Sequence, residues 1–181
     1  MALSIEQLQE SLPAYAKDLK LNLSSVLRQS ELTTSQTWGA AVASAMAAGN
    51  MAVYETIFAA AQAQLSPEAL EAAKAAAAIM GMNNVYYRFQ HLVENEKYKT
   101  IPARLRMNVI RTHGTDPVDF ELWSLAVSAV NGCGQCIVAH ERGVREKGVS
   151  EEAVAAVIRI ASVIHAVAAV VQLEGVSAAA A

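Results

Sequence analysis

With 181 residues and a net charge of −3, the chain is long enough for one large domain or two small halves and carries no basic excess for binding nucleic acid. Its residues are 54% hydrophobic but only 6% aromatic. Alanine, the best helix former and a small one, supplies much of the apolar count, which predicts an all-α protein with close helix contacts in an oligomer that hides the apolar excess.

The opening residues, Met1-Ala2-Leu3-Ser4-Ile5-Glu6, lack a basic region followed by an apolar run, so no export signal is expected and the protein is read as cytoplasmic. Ser4 is placed to cap a first short helix that ends near Pro13. A second is expected over 14–27, with Leu19, Leu23, Val26 and Leu27 on one face. One of Thr33, Thr34 or Ser35 caps a third through Trp38 to Ala48, stopped by Gly49-Asn50, and a fourth runs from Met51 to Gln64. Ser66-Pro67-Glu68 combines a capping hydroxyl, a proline at the first helical position and an acid in the first turn. That helix is expected to reach Met80, to break at Gly81, and to be followed by another from Asn83 to Glu96.

The polar stretch Asn95 to Pro102 reads as a connector, and a helix over 103–111 should follow, with Arg104, Arg106 and Arg111 on a solvated face. Asp116-Pro117 opens the helix that carries Glu121 and Trp123, and Asn131-Gly132 closes it. The next helix holds both cysteines and His140 and stops near Gly148. Ser150-Glu151-Glu152 starts the last one, which runs to about Leu173, and the tail from Ser177 is expected to fray. Within it, Ala153 to Val171 is nearly long enough to span a bilayer, but Arg159 and His165 interrupt it, and it is read as a buried core helix. His165 is then expected in the core or an interface.

The two halves look alike at an offset of 84 residues: Leu21 falls on Leu105, Val26 on Ile110, Ser44-Ala45 on Ser128-Ala129, Ser66 on Ser150 and Met80 on Ile164. Trp38 and Trp123 match after a one-residue slip and are expected as core anchors of the two copies. This suggests one domain over 1–181 built from a duplicated helical unit, about 21–80 and 105–164, with about ten helices in all. In the first copy Gly49, Ala52, Thr56 and Gln36 occupy the places of Cys133, Cys136, His140 and Glu121, so only the second copy is expected to be catalytic.

Those four residues form the chemical constellation. Cys133 and Cys136 are the only cysteines, three residues apart. A turn of helix brings such a pair within disulfide reach and makes it a two-electron switch. The free N–H groups and dipole of a helix starting near Cys133 favour thiolate, the reactive form. His140, four residues after Cys136, shares its helix face and can take its proton. Glu121, on the preceding helix, can orient the imidazole, giving a nucleophile–base–orienter arrangement. Structural zinc would need at least one more protein ligand than these thiols and this histidine provide, and covalent haem attachment would need histidine where Ile137 stands. On these residues alone zinc binding, a non-catalytic redox sensor and a catalytic pair all remain open.

Longer runs narrow the choice. Tyr15-Ala16-Lys17-Asp18-Leu19-Lys20-Leu21-Asn22-Leu23-Ser24-Ser25, Ala78-Ile79-Met80-Gly81-Met82-Asn83-Asn84-Val85, Leu105-Arg106-Met107-Asn108, Phe120-Glu121-Leu122-Trp123 and the Cys-x-x-Cys with its trailing Ala-His-Glu resemble the alkyl hydroperoxide reductase D (AhpD) family, within the carboxymuconolactone-decarboxylase-like superfamily. The resemblance covers nearly the whole chain. It implies an all-α, duplicated fold assembled as a homotrimer, and a thiol peroxidase and disulfide reductase with no bound cofactor. It implies that dihydrolipoamide on a 2-oxoacid dehydrogenase acyltransferase, recharged by dihydrolipoamide dehydrogenase and NADH, is the electron donor, and that a peroxiredoxin of the AhpC type is the acceptor. In that scheme Cys136 attacks and becomes a sulfenic acid or a mixed disulfide, Cys133 supplies a proton and then resolves it, and His140 with Glu121 relays protons. A decarboxylase-like relative is the rival within the superfamily, and the cysteine pair argues against it. Gln135 departs from the family, which often has histidine there, so a different pH dependence or partner contact is expected.

Overall fold

The computed structural model describes residues 2–175, which form ten α-helices and, among the described residues, no β-strand. Helix α1 spans Ile5–Glu10 and, after a single 3₁₀ turn at Ala14–Ala16, α2 spans Lys17–Val26. They are followed by α3 (Thr34–Ala48), α4 (Met51–Ala61), α5 (Pro67–Leu92) and the short α6 (Glu96–Thr100) and α7 (Val109–Thr112). Helices α8 (Pro117–Val130), α9 (Gly134–Glu146) and α10 (Glu151–Glu174) complete the fold.

The starts are set by side-chain caps. The hydroxyls of Ser4, Thr33, Ser66 and Ser150 and the carboxylate of Asp116 each accept a first-turn backbone N–H. Ser4 and Thr33 make full capping boxes with Gln7 and Gln36.

The core is organised around α3 and α8, which pack against each other and against α5 and α10. Both are apolar or small on every side, as helices buried all round must be. In α3, Ala40, Ala41, Val42, Ala43 and Ala45 are buried; in α8, Phe120, Leu122, Trp123, Leu125, Ala126 and Val127 are. The crossing depends on Gly39, because any Cβ there would run into the Trp123 indole. Trp123 is a core anchor as expected, but Trp38 is only half-buried and is not its counterpart in packing. Helix α10 is long and apolar enough to cross a membrane by length and composition, and half of that apolar window is buried inside the fold. Its His165, expected in the core or an interface, is exposed on the single chain and so is not a core residue.

Two helix expectations are corrected. Gly81 does not break α5, which is continuous over 26 residues. A helical glycine costs only about 1 kcal/mol relative to alanine, and the buried residues on either side, Ile79, Met80, Asn83 and Asn84, hold the helix together. The helix expected over 103–111 shrinks to the single turn α7. Arg104 has φ 53°, and no residue from 101 to 112 is fully buried, so nothing offsets the cost of nucleating a helix. Arg104 and Arg106 therefore lie in irregular chain, not on a common helix face with Arg111. The connector is itself partly helical, through α6.

The caps also reset the register between the halves. Thr33 and Asp116 cap α3 and α8, and Asn50 and Cys133 cap α4 and α9, an offset of 83 in both cases (116 − 33 and 133 − 50). Gly49 (φ 74°) and Gly132 (φ 66°) are left-handed at the same offset, each just before the next cap. Whereas Ser66 and Ser150, the caps of α5 and α10, keep the offset of 84, the offset of 83 aligns Cys133, Cys136, His140 and Glu121 with Asn50, Val53, Ile57 and Trp38. None of them is ionisable in the functional range. The expected fraying of Ser177 to Ala181 lies outside the described residues.

Candidate active site

The redox pair sits at an elbow between α8 and α9. Helix α8 ends at Val130, Gly132 takes a left-handed turn, and Cys133 becomes the N-cap of α9. Its sulfur accepts the backbone N–H of Cys136 at 3.3 Å, doing what a serine or aspartate oxygen does at other caps. The two cysteines are joined as a disulfide with a Cα–Cα distance of 5.3 Å. In the reduced protein the same N–H would face the Cys133 thiolate.

The elbow is held from α5 by polar groups that the sequence did not single out. Asn84 donates to Ser128 Oγ (2.9 Å) and accepts from Asn131 Nδ2 (3.0 Å), while Arg88 donates to the carbonyl of Asn131 (2.6 Å). No motif spacing marks Asn84 or Arg88. What placed them out of reach is that α5 was expected to break between Met80 and Asn83.

The two sulfurs are not equivalent. Cys133 is fully buried, whereas Cys136 is 6% exposed and lines a cavity of about 280 Å³. The cavity wall is formed by Met80, Asn83 and Tyr87 of α5, by Met107 and Ile110 near α7, and by Gln135, Cys136, Ala139 and His140 of α9. It is largely apolar, with the chemistry concentrated on the α9 side. Gln135 is exposed at its rim.

His140 and Glu121 meet as expected. Nδ1 of His140 donates to Glu121 Oε2 at 2.6 Å. This hydrogen bond holds the Glu121 carboxyl below the ordinary glutamate range; against the effect of burial, the charges of His140, Lys147 and His113 act in the same direction. Glu121 is therefore a carboxylate, and it fixes the imidazole with Nδ1 protonated. The other nitrogen, Nε2, points into the cavity wall and lies 3.3 Å from Met80 Sδ. The Met80 thioether thus contacts the imidazole that Glu121 holds. Of the remaining histidines, His113 stacks on Phe120 with ring centroids 4.2 Å apart, and His91 lies exposed on α5. Among the described residues no cluster of three or more His, Cys, Asp or Glu is arranged to hold a metal ion.

An all-α fold with a Cys-x-x-Cys pair at a helix start and an adjoining hydrogen-bonded His–Glu pair defines a dithiol–disulfide protein. Comparison with known proteins places it further. Residues 96–179 match the carboxymuconolactone decarboxylase family. Over 172 residues the chain is 60% identical to the alkyl hydroperoxide reductase AhpD of Solibacter usitatus, covering 95% of this chain and 97% of that one. It is 60% identical to the protein of the same name from Rhodospirillum centenum, over 95% and 92% of the two chains. To that from Hyphomonas neptunium it is 53% identical, over 98% of each. The chain belongs to the AhpD family, within the carboxymuconolactone-decarboxylase-like superfamily.

Proposed function

We propose that this protein is an antioxidant thiol enzyme that uses Cys133 and Cys136 to reduce alkyl hydroperoxides and to pass electrons from dihydrolipoamide to a peroxiredoxin of the AhpC type. The observation that carries the reading is the asymmetry of the disulfide: Cys136 opens onto a cavity that His140 also lines, and Cys133 is sealed behind it. The names of the relatives support peroxide reduction.

In the reductive half, one thiolate of dihydrolipoamide attacks Cys136 Sγ. The Cys133–Cys136 bond breaks and Cys133 leaves as thiolate, accepting the Cys136 N–H. The second thiol of the donor then attacks the mixed disulfide, releasing lipoamide and the reduced pair. In the oxidative half, the Cys136 thiolate attacks the terminal oxygen of a hydroperoxide. The S–O bond forms as the O–O bond breaks, and the alkoxide takes a proton from the His140 imidazolium. Cys133 then attacks the sulfenic acid, regenerating the disulfide and releasing water. With a peroxiredoxin disulfide in place of the hydroperoxide, the same Cys136 thiolate forms the mixed disulfide and Cys133 resolves it.

Within this reading the donor is the lipoyl group of a 2-oxoacid dehydrogenase acyltransferase, recharged by dihydrolipoamide dehydrogenase. The protein works in the cytoplasm as a homotrimer without a bound cofactor. We also infer that its two halves, about 21–80 and 105–164, are copies of one helical unit and that only the second is catalytic; the recurring caps support this. The test is Cys136→Ser, which should abolish lipoamide-dependent hydroperoxide turnover, whereas retained turnover refutes the reading. Cys133→Ser should instead accumulate a mixed disulfide at Cys136, visible by intact-mass spectrometry.

A further inference from the structure

Four buried side-chain atoms among the described residues have no hydrogen-bond partner: Ser44 Oγ, Asn83 Oδ1, Trp123 Nε1 and Ser124 Oγ. Of these residues only Asn83 lines the cavity onto which Cys136 opens. Asn83 is 5% exposed, and no protein group supplies the missing bond. A buried, unpaired amide oxygen costs about 1–3 kcal/mol relative to a paired one. Nothing in the packing requires it: the neighbouring Asn84 makes the structural bonds to Ser128 and Asn131, and Asn83 joins neither.

The position of Asn83 gives the unpaired oxygen a use. It follows Met80 by three residues on α5, so it lies on the same helix face about one turn further along. Met80 Sδ touches His140 Nε2. The Asn83 amide therefore lies along the cavity wall one turn from the base. Around it the wall is apolar, made by Met80, Tyr87, Met107 and Ile110. A ligand that fits has an apolar body and a polar end short enough to reach Cys136, His140 and Asn83 together. Because a carbonyl oxygen only accepts, that polar end must donate.

We propose that Asn83 is a substrate-orienting residue for alkyl hydroperoxides, its Oδ1 accepting the hydrogen bond of the substrate's terminal O–H. The inference rests on the peroxidase reading above. The attacked oxygen is the one that bears this hydrogen, so the bond aims it at Cys136 while leaving the O–R oxygen toward His140. The hydrogen stays with the attacked oxygen through the step: Cys136–S⁻ plus HO–OR gives Cys136–S–OH and RO⁻, and the alkoxide is protonated by His140. The alkyl group lies against Met80, Tyr87, Met107 and Ile110. At about 280 Å³ the cavity falls just below the usual range for drug-sized ligands. It suits a short or slender alkyl chain.

The experiment compares wild type with Asn83→Leu and Asn83→Ala in steady-state reduction of tert-butyl hydroperoxide at saturating dihydrolipoamide, and then with the two substrates' roles exchanged. For the hydroperoxide, kcat/KM should fall about 5–30-fold, the worth of one hydrogen bond, with the loss carried in KM. Thermal stability should stay level or rise in Asn83→Leu, because an unpaired buried amide has been removed. Wild type active and both variants equal to it overturns the assignment. So does a loss confined to dihydrolipoamide, which would make the amide a site for the donor's own N–H, or a fall in stability in Asn83→Leu that Asn83→Ala shares, which would make it structural. Wild type that turns over no hydroperoxide refutes the peroxidase reading itself, and this assignment with it.

Discussion

His140 Nδ1 donates to Glu121 Oε2 at 2.6 Å, and this bond joins α8 to α9 at the wall of the cavity onto which Cys136 opens. It leaves Nε2, which lies against Met80 Sδ on the cavity side, as the nitrogen for proton transfer. If the relay works as proposed, Glu121→Gln and His140→Gln each slow hydroperoxide turnover by about 10²–10⁴-fold, as loss of general acid–base catalysis does. Steady-state kinetics at saturating dihydrolipoamide checks this, and wild-type rates in either variant contradict it.

The same pair links stability to pH. The Glu121 pKa is depressed in the folded protein, chiefly by the His140 hydrogen bond. A depressed carboxylate contributes stability that is fully present above its unfolded pKa and is lost as pH falls through the folded one. Wild type should therefore be more stable than Glu121→Gln at neutral pH, and the gap should close only below the ordinary glutamate range. Urea denaturation of both proteins across an acid pH series measures this. A gap that stays constant to strongly acid pH contradicts it.

Two glycines should respond oppositely to alanine. Gly39→Ala forces a Cβ into the Trp123 ring at the tightest crossing of the core, between α3 and α8, and should cost about 1–3 kcal/mol or more. Gly81→Ala adds a Cβ to an exposed point of α5 where nothing lies within 4 Å, and should stabilise the protein by about 1 kcal/mol. Chemical denaturation midpoints decide both.

What was legible in the sequence was mostly local. The capping residues of α1, α3, α5, α8 and α10 announce themselves through side chains that bond their own helix. Cys133, Cys136 and His140 lie within one helix start, so their spacing alone brings them together, and Glu121 needed only the antiparallel return of α8. What failed depended on partners distant in sequence. Gly81 sits in a continuous helix because its neighbours are buried, and 103–107 forms no helix because none of its residues is fully buried. The contact of Met80 with His140, the hold of Asn84 and Arg88 on the elbow, and the unpaired Asn83 all come from α5 running alongside α8 and α9, which no spacing encodes. Gln135 was noted as a departure from the family; its exposure at the cavity rim puts it where an incoming partner would pass.

The central claim is that the buried disulfide is an electron carrier fed by a dithiol that reaches Cys136. Stopped-flow mixing of the oxidised protein with dihydrolipoamide, glutathione or a reduced thioredoxin, with quenched thiol counting at each time point, tests it directly. Dihydrolipoamide should open the Cys133–Cys136 bond far faster than either of the others at equal thiol concentration, releasing two thiols per chain. Reduction by glutathione or thioredoxin at the same rate or faster would contradict it.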